Sequence, residues 1–361
     1  MSGILSSIST ILITVFIFGL LIFIHELGHY IAARRCGVGI IEFAIGMGPK
    51  IISWEGKVNT FSIRAFPIGG FVSMVGEYSD EIEEKDKGKV PLDQKPVWQR
   101  AIIALSGPVM NLALGFVIMS LLVITGDNIY TTTVSKFNEG ATSSQNGLMI
   151  DDEIIEINGK NVYVFTDMYY KIATDGIEPL DITVLRDGEK VQLYNVQFPT
   201  ENNKGVNFGT LDFKINSEKK TVGNVLYQSF YQSISSVYMT IDQLADVIKG
   251  RYGVDAISGP VGIGNEIGNV IEQGIKSDEV TFGDTVRTLS TYLVLITISL
   301  GIFNLLPIPV LDGGMLLFCL IEAIRKKPIN KKVERSISAV FMVLLLTATV
   351  LIFFKDFISL F

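Results

Sequence analysis

His25, Glu26 and His29 stand in the stretch "IFIHELGHYIAARR" (residues 22–35), and the two imidazoles are the only histidines of the chain. Helical positions i and i+4 share one face about 6 Å apart along the axis, so both rings can reach one metal ion. Glu26 stands beside that site. H-E-x-x-H is the arrangement in which two histidines hold zinc while the glutamate takes a proton from a water whose pKa the metal lowers to about 7. The bare pattern arises by chance in soluble proteins. Here, though, no side chain from Met1 to Ile24 carries a charge, and unpaired ionisable groups at the end of a membrane span are costly enough to make the metal reading the stronger one.

A catalytic zinc takes three protein ligands and keeps one open position. Within 288–321 the one charged residue is Asp312, set in "NLLPIPVLDGG". Pro307 and Pro309 cannot continue a regular helix and Gly313-Gly314 permits unusual backbone, so the carboxylate is expected on a broken segment at membrane depth. Such backbone survives there only when buried in protein or lining a wet cavity. The alternative is a structural aspartate capping the next helix. Glu42 and Glu322 are weaker third ligands, because water can solvate them at loop or helix ends.

These residues need a membrane scaffold, and the composition supplies one. The 361 residues are 48% hydrophobic, and apolar runs at about 3–24, 101–126, 288–321 and 336–354 are near or above the length of a spanning helix. The expected fold is a polytopic α-helical membrane protein with four transmembrane helices, a membrane-associated β-hairpin region and one extracytoplasmic β-rich domain. The first run lacks a basic start and an A-x-A site, so it is expected to remain in the mature protein. Basic residues concentrate after the first span (Arg34, Arg35, Lys50, Lys57, Arg64 and others to Arg100) and in the 325–335 loop, which places both inside. Residues 126–285 carry 12 Lys and Arg against 23 Asp and Glu. Both termini and this acidic segment are therefore expected outside. Nothing points to nucleic acid, and Cys36 and Cys319 are expected to form no disulfide.

The expected divisions are 1–35, the first span with HELGH; 36–97, a hairpin loop and linker; 98–126, the second span; 127–216, the β-rich domain; 217–285, an amphipathic helix region; 286–323, the third span; 324–335, a basic loop; and 336–361, the fourth span. Residues 42–77 alternate apolar residues with glycines and turns, which suggests hairpins lying against or dipping into the membrane, or else a small cytoplasmic sheet. "SDEIEEKDKGKVPLDQK" (79–95) reads as a solvated linker. "RDGEK" at 186–190 predicts a hairpin and "TDMYYKIATDG" a helix. From Val222 to Ile248 apolar residues recur at helical spacing, either on a surface helix or as the core stripe of a soluble subdomain.

Taken together, "HELGH", "FAIGMGP", "FPIGGFVSMVGE", "SGPVMN" (106–111), "GPVGI" (259–263) and "NLLPIPVLDGG" (304–314) make the chain resemble the site-2 proteases, intramembrane zinc metalloproteases, in their bacterial PDZ-containing branch. "GLMIDDEIIEINGKNV" is similar to the core of the PDZ domains of membrane and periplasmic proteases. The resemblance implies Zn2+ held by His25, His29 and Asp312, with Glu26 as catalytic base. It implicates Asn304, Pro307 and Pro309 in handling substrate. Asn111 matches the family's GPxxN pattern, which places it with the substrate-handling residues; a helix-packing amide is the equal alternative to a role in the reaction. The implied substrates are membrane-spanning proteins, among them membrane-anchored anti-sigma factors and signal-peptide remnants, cut after an upstream site-1 protease and within the bacterial cell membrane. A single PDZ-like unit fits, where some relatives carry two. The rival class is a non-enzymatic scaffold or a metal transporter that retains a zinc site. A scaffold has no need of Glu26, and a transporter would carry more polar residues along its spans.

Overall fold

The computed structural model describes residues 2–77, 88–203, 206–251, 259–277 and 280–358. They divide into two compact units, one of residues 1–115 and 243–361, the other of residues 116–242. Four helices among the described residues are long and apolar enough to cross a membrane: Ser9–Arg35, Val97–Thr125, Phe282–Asn304 and Lys331–Ile358.

In the first unit, α1 (Ser2–Arg35) leads into β1 (Ile40–Glu55) and β2 (Thr60–Met74), and α2 spans Val97–Thr125. The two strands pair twice over. Phe43 stands opposite Val72 on one side and Phe61 on the other, and Trp54 also pairs with Phe61, so residues 42–45 lie inside a small sheet with 70–74 at one edge and 52–55 at the other. Each strand folds on itself at a glycine with positive φ, Gly46 and Gly48 in β1 and Gly69 in β2, a conformation that a Cβ would strain. Ile45, Met47, Ile51, Ile52, Trp54 and Phe66 are exposed on this sheet.

Residues 79–87 of the expected linker lie outside the described residues. Its end, 88–95, is not solvated chain as expected. Leu92 is buried and its N–H bonds to Val75 O, and Gly39 N–H bonds to Val90 O. The stretch docks through one buried side chain, Leu92, and through backbone bonds at Val90 and Leu92.

The second unit is a β-rich domain followed by a helix. Its elements are β3 (Ile129–Phe137), α3 (Thr142–Gln145), β4 (Glu153–Ile157), β5 (Lys160–Asn161), α4 (Phe165–Asp175), β6 (Leu180–Arg186), β7 (Glu189–Val196), β8 (Thr200–Asn203), β9 (Val206–Gly209), β10 (Phe213–Glu218) and α5 (Val222–Ile248), whose last residues pass into the first unit. The sheet runs β10-β3-β4-β6-β7, with β5 on β4. Asp187 (φ 51°) and Gly188 (φ 84°) close the β6-β7 hairpin, as an Asp-Gly turn does. Met168 and Ile172 of α4 close a core with Ile154, Leu180, Ile182 and Val184, all at most 1% exposed.

α5 is turned the opposite way to a soluble amphipathic helix. Val222, Leu226, Phe230 and Ile241 of its apolar stripe are exposed, while Gln228, Ser229, Ser233, Ser236 and Thr240 are buried. A core stripe is therefore excluded for these residues. The hydroxyls of Ser233 and Ser236 bond to carbonyls one turn back, Ser233 to Ser229 O at 2.7 Å.

Returning to the first unit, α6 (Pro260–Lys276), α7 (Phe282–Asn304), α8 (Asp312–Arg325) and α9 (Lys331–Ile358) complete the chain. α6 packs on α1 through Ile17, Leu21, Ile267 and Ile271. α9 is held near its two ends: Asp356 accepts the N–H groups of Gly259 and Gly262 at the start of α6, both at 2.9 Å, and Lys331 pairs with Asp93. The segment over 286–323, expected to be broken, is two helices, α7 and α8, with residues 305–311 between them outside regular helix. Pro307 and Pro309 have no N–H to give and disfavour helix at the preceding residue, so the interruption follows locally.

Candidate metal centre

His25 and His29 occur on α1 one turn apart and both are buried. Their Nε2 atoms are 3.2 Å apart. Asp312, the first residue of α8, brings Oδ2 to 3.1 Å from His25 Nε2 and Oδ1 to 3.3 Å from His29 Nε2. The residue does start a helix, as the capping alternative required, but its oxygens face two imidazoles. These three form the one group of at least three histidine, cysteine or acidic side chains among the described residues that could hold a metal ion.

The donor set fits zinc. Three donors on a tetrahedron whose arms are ~2.0–2.1 Å stand roughly 3.3 Å apart, close to the separations found. Buried Oδ2 of Asp312 receives no well-aligned hydrogen bond, which suits an acceptor directed at a cation. His29 Nδ1 is 2.8 Å from Ile103 O. A carbonyl can only accept, so the proton of neutral His29 sits on Nδ1 and its Nε2 lone pair is free to ligate.

Glu26 lies half-buried between α1 and the sheet edge, where its carboxylate accepts a hydrogen bond from the Val72 backbone. A cavity of about 290 Å³ reaches Asp312, walled by Pro309, Val310, Leu311, Met315 and Phe318 among others. Asn304 ends α7, Pro307 is exposed and Pro309 half-buried, and none of the three joins the metal group. Asn111 is wholly buried on α2 with its amide 3.3 Å from His25 Nδ1.

The weaker ligand candidates stand apart. Glu322 bonds Arg100 and the Ile329 N–H. Glu42 is bonded by Ser62, Lys50 and Arg64. Burial opposes ionisation of Glu42, but those three donors outweigh it and hold the carboxyl below its ordinary range.

Sequence reasoning did not find what lets the helices approach. A Cβ on Gly107 would lie 2.2 Å from His29 Nε2, and one on Gly28 would lie 2.3 Å from Ser106 O. Gly28 lets the α1 backbone meet the α2 backbone, and Gly107 lets the α2 backbone meet the His29 ring. The signal was present as Ser-Gly-Pro inside an apolar run, which reads as a kink as readily as a contact.

A histidine pair on a span, completed by an aspartate from an interrupted segment, is the arrangement of a membrane-embedded metallopeptidase. A model of Peptidase family M50 matches residues 13–348, nearly the whole chain. The chain is 30% identical over 407 aligned positions to the regulator of sigma-W protease RasP of Bacillus subtilis, with 91% of this chain and 93% of that protein covered. It is 29% identical over 405 positions to the zinc metalloprotease RasP of Bacillus licheniformis, covering 90% and 93%. The metalloprotease MmpA of Caulobacter vibrioides is 29% identical over 351 positions, covering 88% of each chain. The protein belongs to Peptidase family M50, and it is an intramembrane zinc metalloprotease.

Proposed function

We propose that His25, His29 and Asp312 hold the zinc and that Glu26 is the catalytic base for cleavage of a membrane-spanning helix of another protein. The observation that carries this reading is the convergence of two Nε2 atoms and one carboxylate within 3.3 Å, with Glu26 on the same turn. A zinc ion there supplies Lewis acidity to the scissile carbonyl and to water. Glu26 takes the proton from the attacking water and delivers it to the leaving amine nitrogen. A helical substrate has its carbonyls tied in hydrogen bonds, so it must unwind first. The 70–74 sheet edge offers main-chain groups on which the unwound strand can pair, with Asn304, Pro307 and Pro309 contacting it from the α7-α8 interruption.

The outer β domain is read as a PDZ domain on its motif and its helix-closed sheet. The Arg and Lys bias supports 36–97 and 324–335 inside, 127–285 outside and both termini outside a bacterial cell membrane. The exposed apolar face of α5 and that of the β1-β2 sheet are read as contacts with the lipid bilayer. Relatives named as a sigma-W regulator support anti-sigma factors as substrates, with signal-peptide remnants a second class, and an upstream site-1 protease making the first cut.

The deciding experiment measures zinc content and cleavage of a helical substrate for Glu26→Gln. The base assignment requires zinc to stay and cleavage to fall by about 10²–10⁴-fold. Undiminished cleavage would reject it.

A further inference from the structure

We infer that Asn111 is a positioning residue for the metal, and that its side-chain oxygen accepts the Nδ1 proton of His25. The inference rests on the assignment of His25 as a ligand. Asn111 is 0% exposed, and its amide lies 3.3 Å from His25 Nδ1. The amide can face the ring in two ways, because its oxygen and nitrogen exchange places on a half-turn of the side chain. With the nitrogen toward the ring, His25 Nδ1 must be bare and the proton must sit on Nε2. That nitrogen is the one facing Asp312 Oδ2 at 3.1 Å and His29 Nε2 at 3.2 Å. A ligating Nε2 carries no proton, so neutral His25 is protonated at Nδ1 and its neighbour there must accept. Only the orientation with Oδ1 toward the ring does so. Hydrogen-bond counting does not decide between the two: the buried oxygen has no partner in one orientation, and the amide NH2 takes its place in the other. The ring tautomer decides.

The two histidines are thus supported differently. His29 leans on the backbone carbonyl of Ile103, which no substitution of a side chain removes, whereas His25 leans on a side-chain amide. Its helix is held at that turn from the far side, where Thr297 Oγ1 donates to Asn111 O at 3.1 Å. Asn111 is therefore set in place before metal arrives.

The test uses the full-length protein purified in detergent and measures zinc affinity by competition with a chromogenic chelator. Variants are Asn111→Leu, Asn111→Ala and Asn111→Asp, with His29→Ala as the reference for site loss. Loss of the acceptor should weaken zinc binding by about 10–100-fold in the Leu and Ala variants. The Asp variant, which can only accept, should bind zinc as tightly as the parent or tighter. A packing amide predicts full zinc affinity in the Leu variant, and an amide that donates predicts equal loss in Asp and Leu; either result overturns the inference. If Asn111→Leu does not fold, Asn111→Ala is read in the same way. Retention of zinc by His29→Ala would instead overturn the metal assignment itself.

Discussion

Both units bury carboxylates that the chain itself satisfies, as Glu42, Glu322 and Asp356 show in the first, but among the described residues only the first also buries polar atoms left for one another. In the β-rich unit each buried carboxylate among the described residues is used up by the chain: Asp212 takes the N–H and hydroxyl of Ser143, Asp167 takes the N–H groups of Tyr163 and Val164, and Asp152 grips Arg186 and the Met149 N–H. In the membrane unit His25, His29 and Asp312 turn their free atoms on one another. Burial of a polar side chain therefore does not mark a reactive site. What marks it is a buried group whose partners are other ligands instead of turns and caps.

The largest test of that contrast is chemical. His25→Ala or His29→Ala should remove zinc and all cleavage, whereas Glu26→Gln should keep zinc and lower kcat by about 10²–10⁴-fold; metal analysis beside peptide-bond cleavage reads both. In the β-rich unit the equivalent loss should be one of stability. Ile154→Ala, at a site 0% exposed, should destabilise residues 129–218 by about 2–5 kcal/mol with zinc content unchanged, as thermal unfolding and metal analysis would show.

Smaller again is the acid response of the sheet beside α1. The Glu42 carboxyl is held below its ordinary value of 4.5, burial being outweighed by the bonds from Ser62, Lys50 and Arg64. A depressed folded value means this stabilisation is present in full above 4.5 and is lost as pH falls through the folded value. Hydrogen exchange at residues 52–63 should quicken on acidification, and Glu42→Gln should flatten that dependence. Smallest of all, Leu346→Ala on α9, 56% exposed, should change stability in detergent by under about 0.5 kcal/mol. A loss as large as that of Ile154→Ala would mean that the exposed face of α9 is covered by protein.

The metal group could be read in the sequence because its geometry is local. Two histidines four apart on a helix need no tertiary knowledge, and Asp312 stood out as the one charge in its apolar run. The Asp187-Gly188 turn was readable for the same reason. Other features depend on neighbours far along the chain. Residues 42–45 pair on both sides, which alternation cannot reveal. The stripe at 222–248 has the same spacing whether it meets core or solvent, and only the buried serines show which. Gly107 matters because of His29, seventy-eight positions earlier, and composition carries no trace of that.

α9 has a physical consequence of its own. Its 28 residues carry charges at both ends, and the apolar run between them, 336–354, rises about 29 Å, a match to a hydrocarbon core of ~30 Å; a thinner bilayer would tilt it. Because Asp356 and Lys331 tether it near both ends, a change of tilt cannot be absorbed by free sliding and pulls on the start of α6 at one end and on Asp93 at the other. A bilayer whose thickness departs from that run would therefore load both tethers at once.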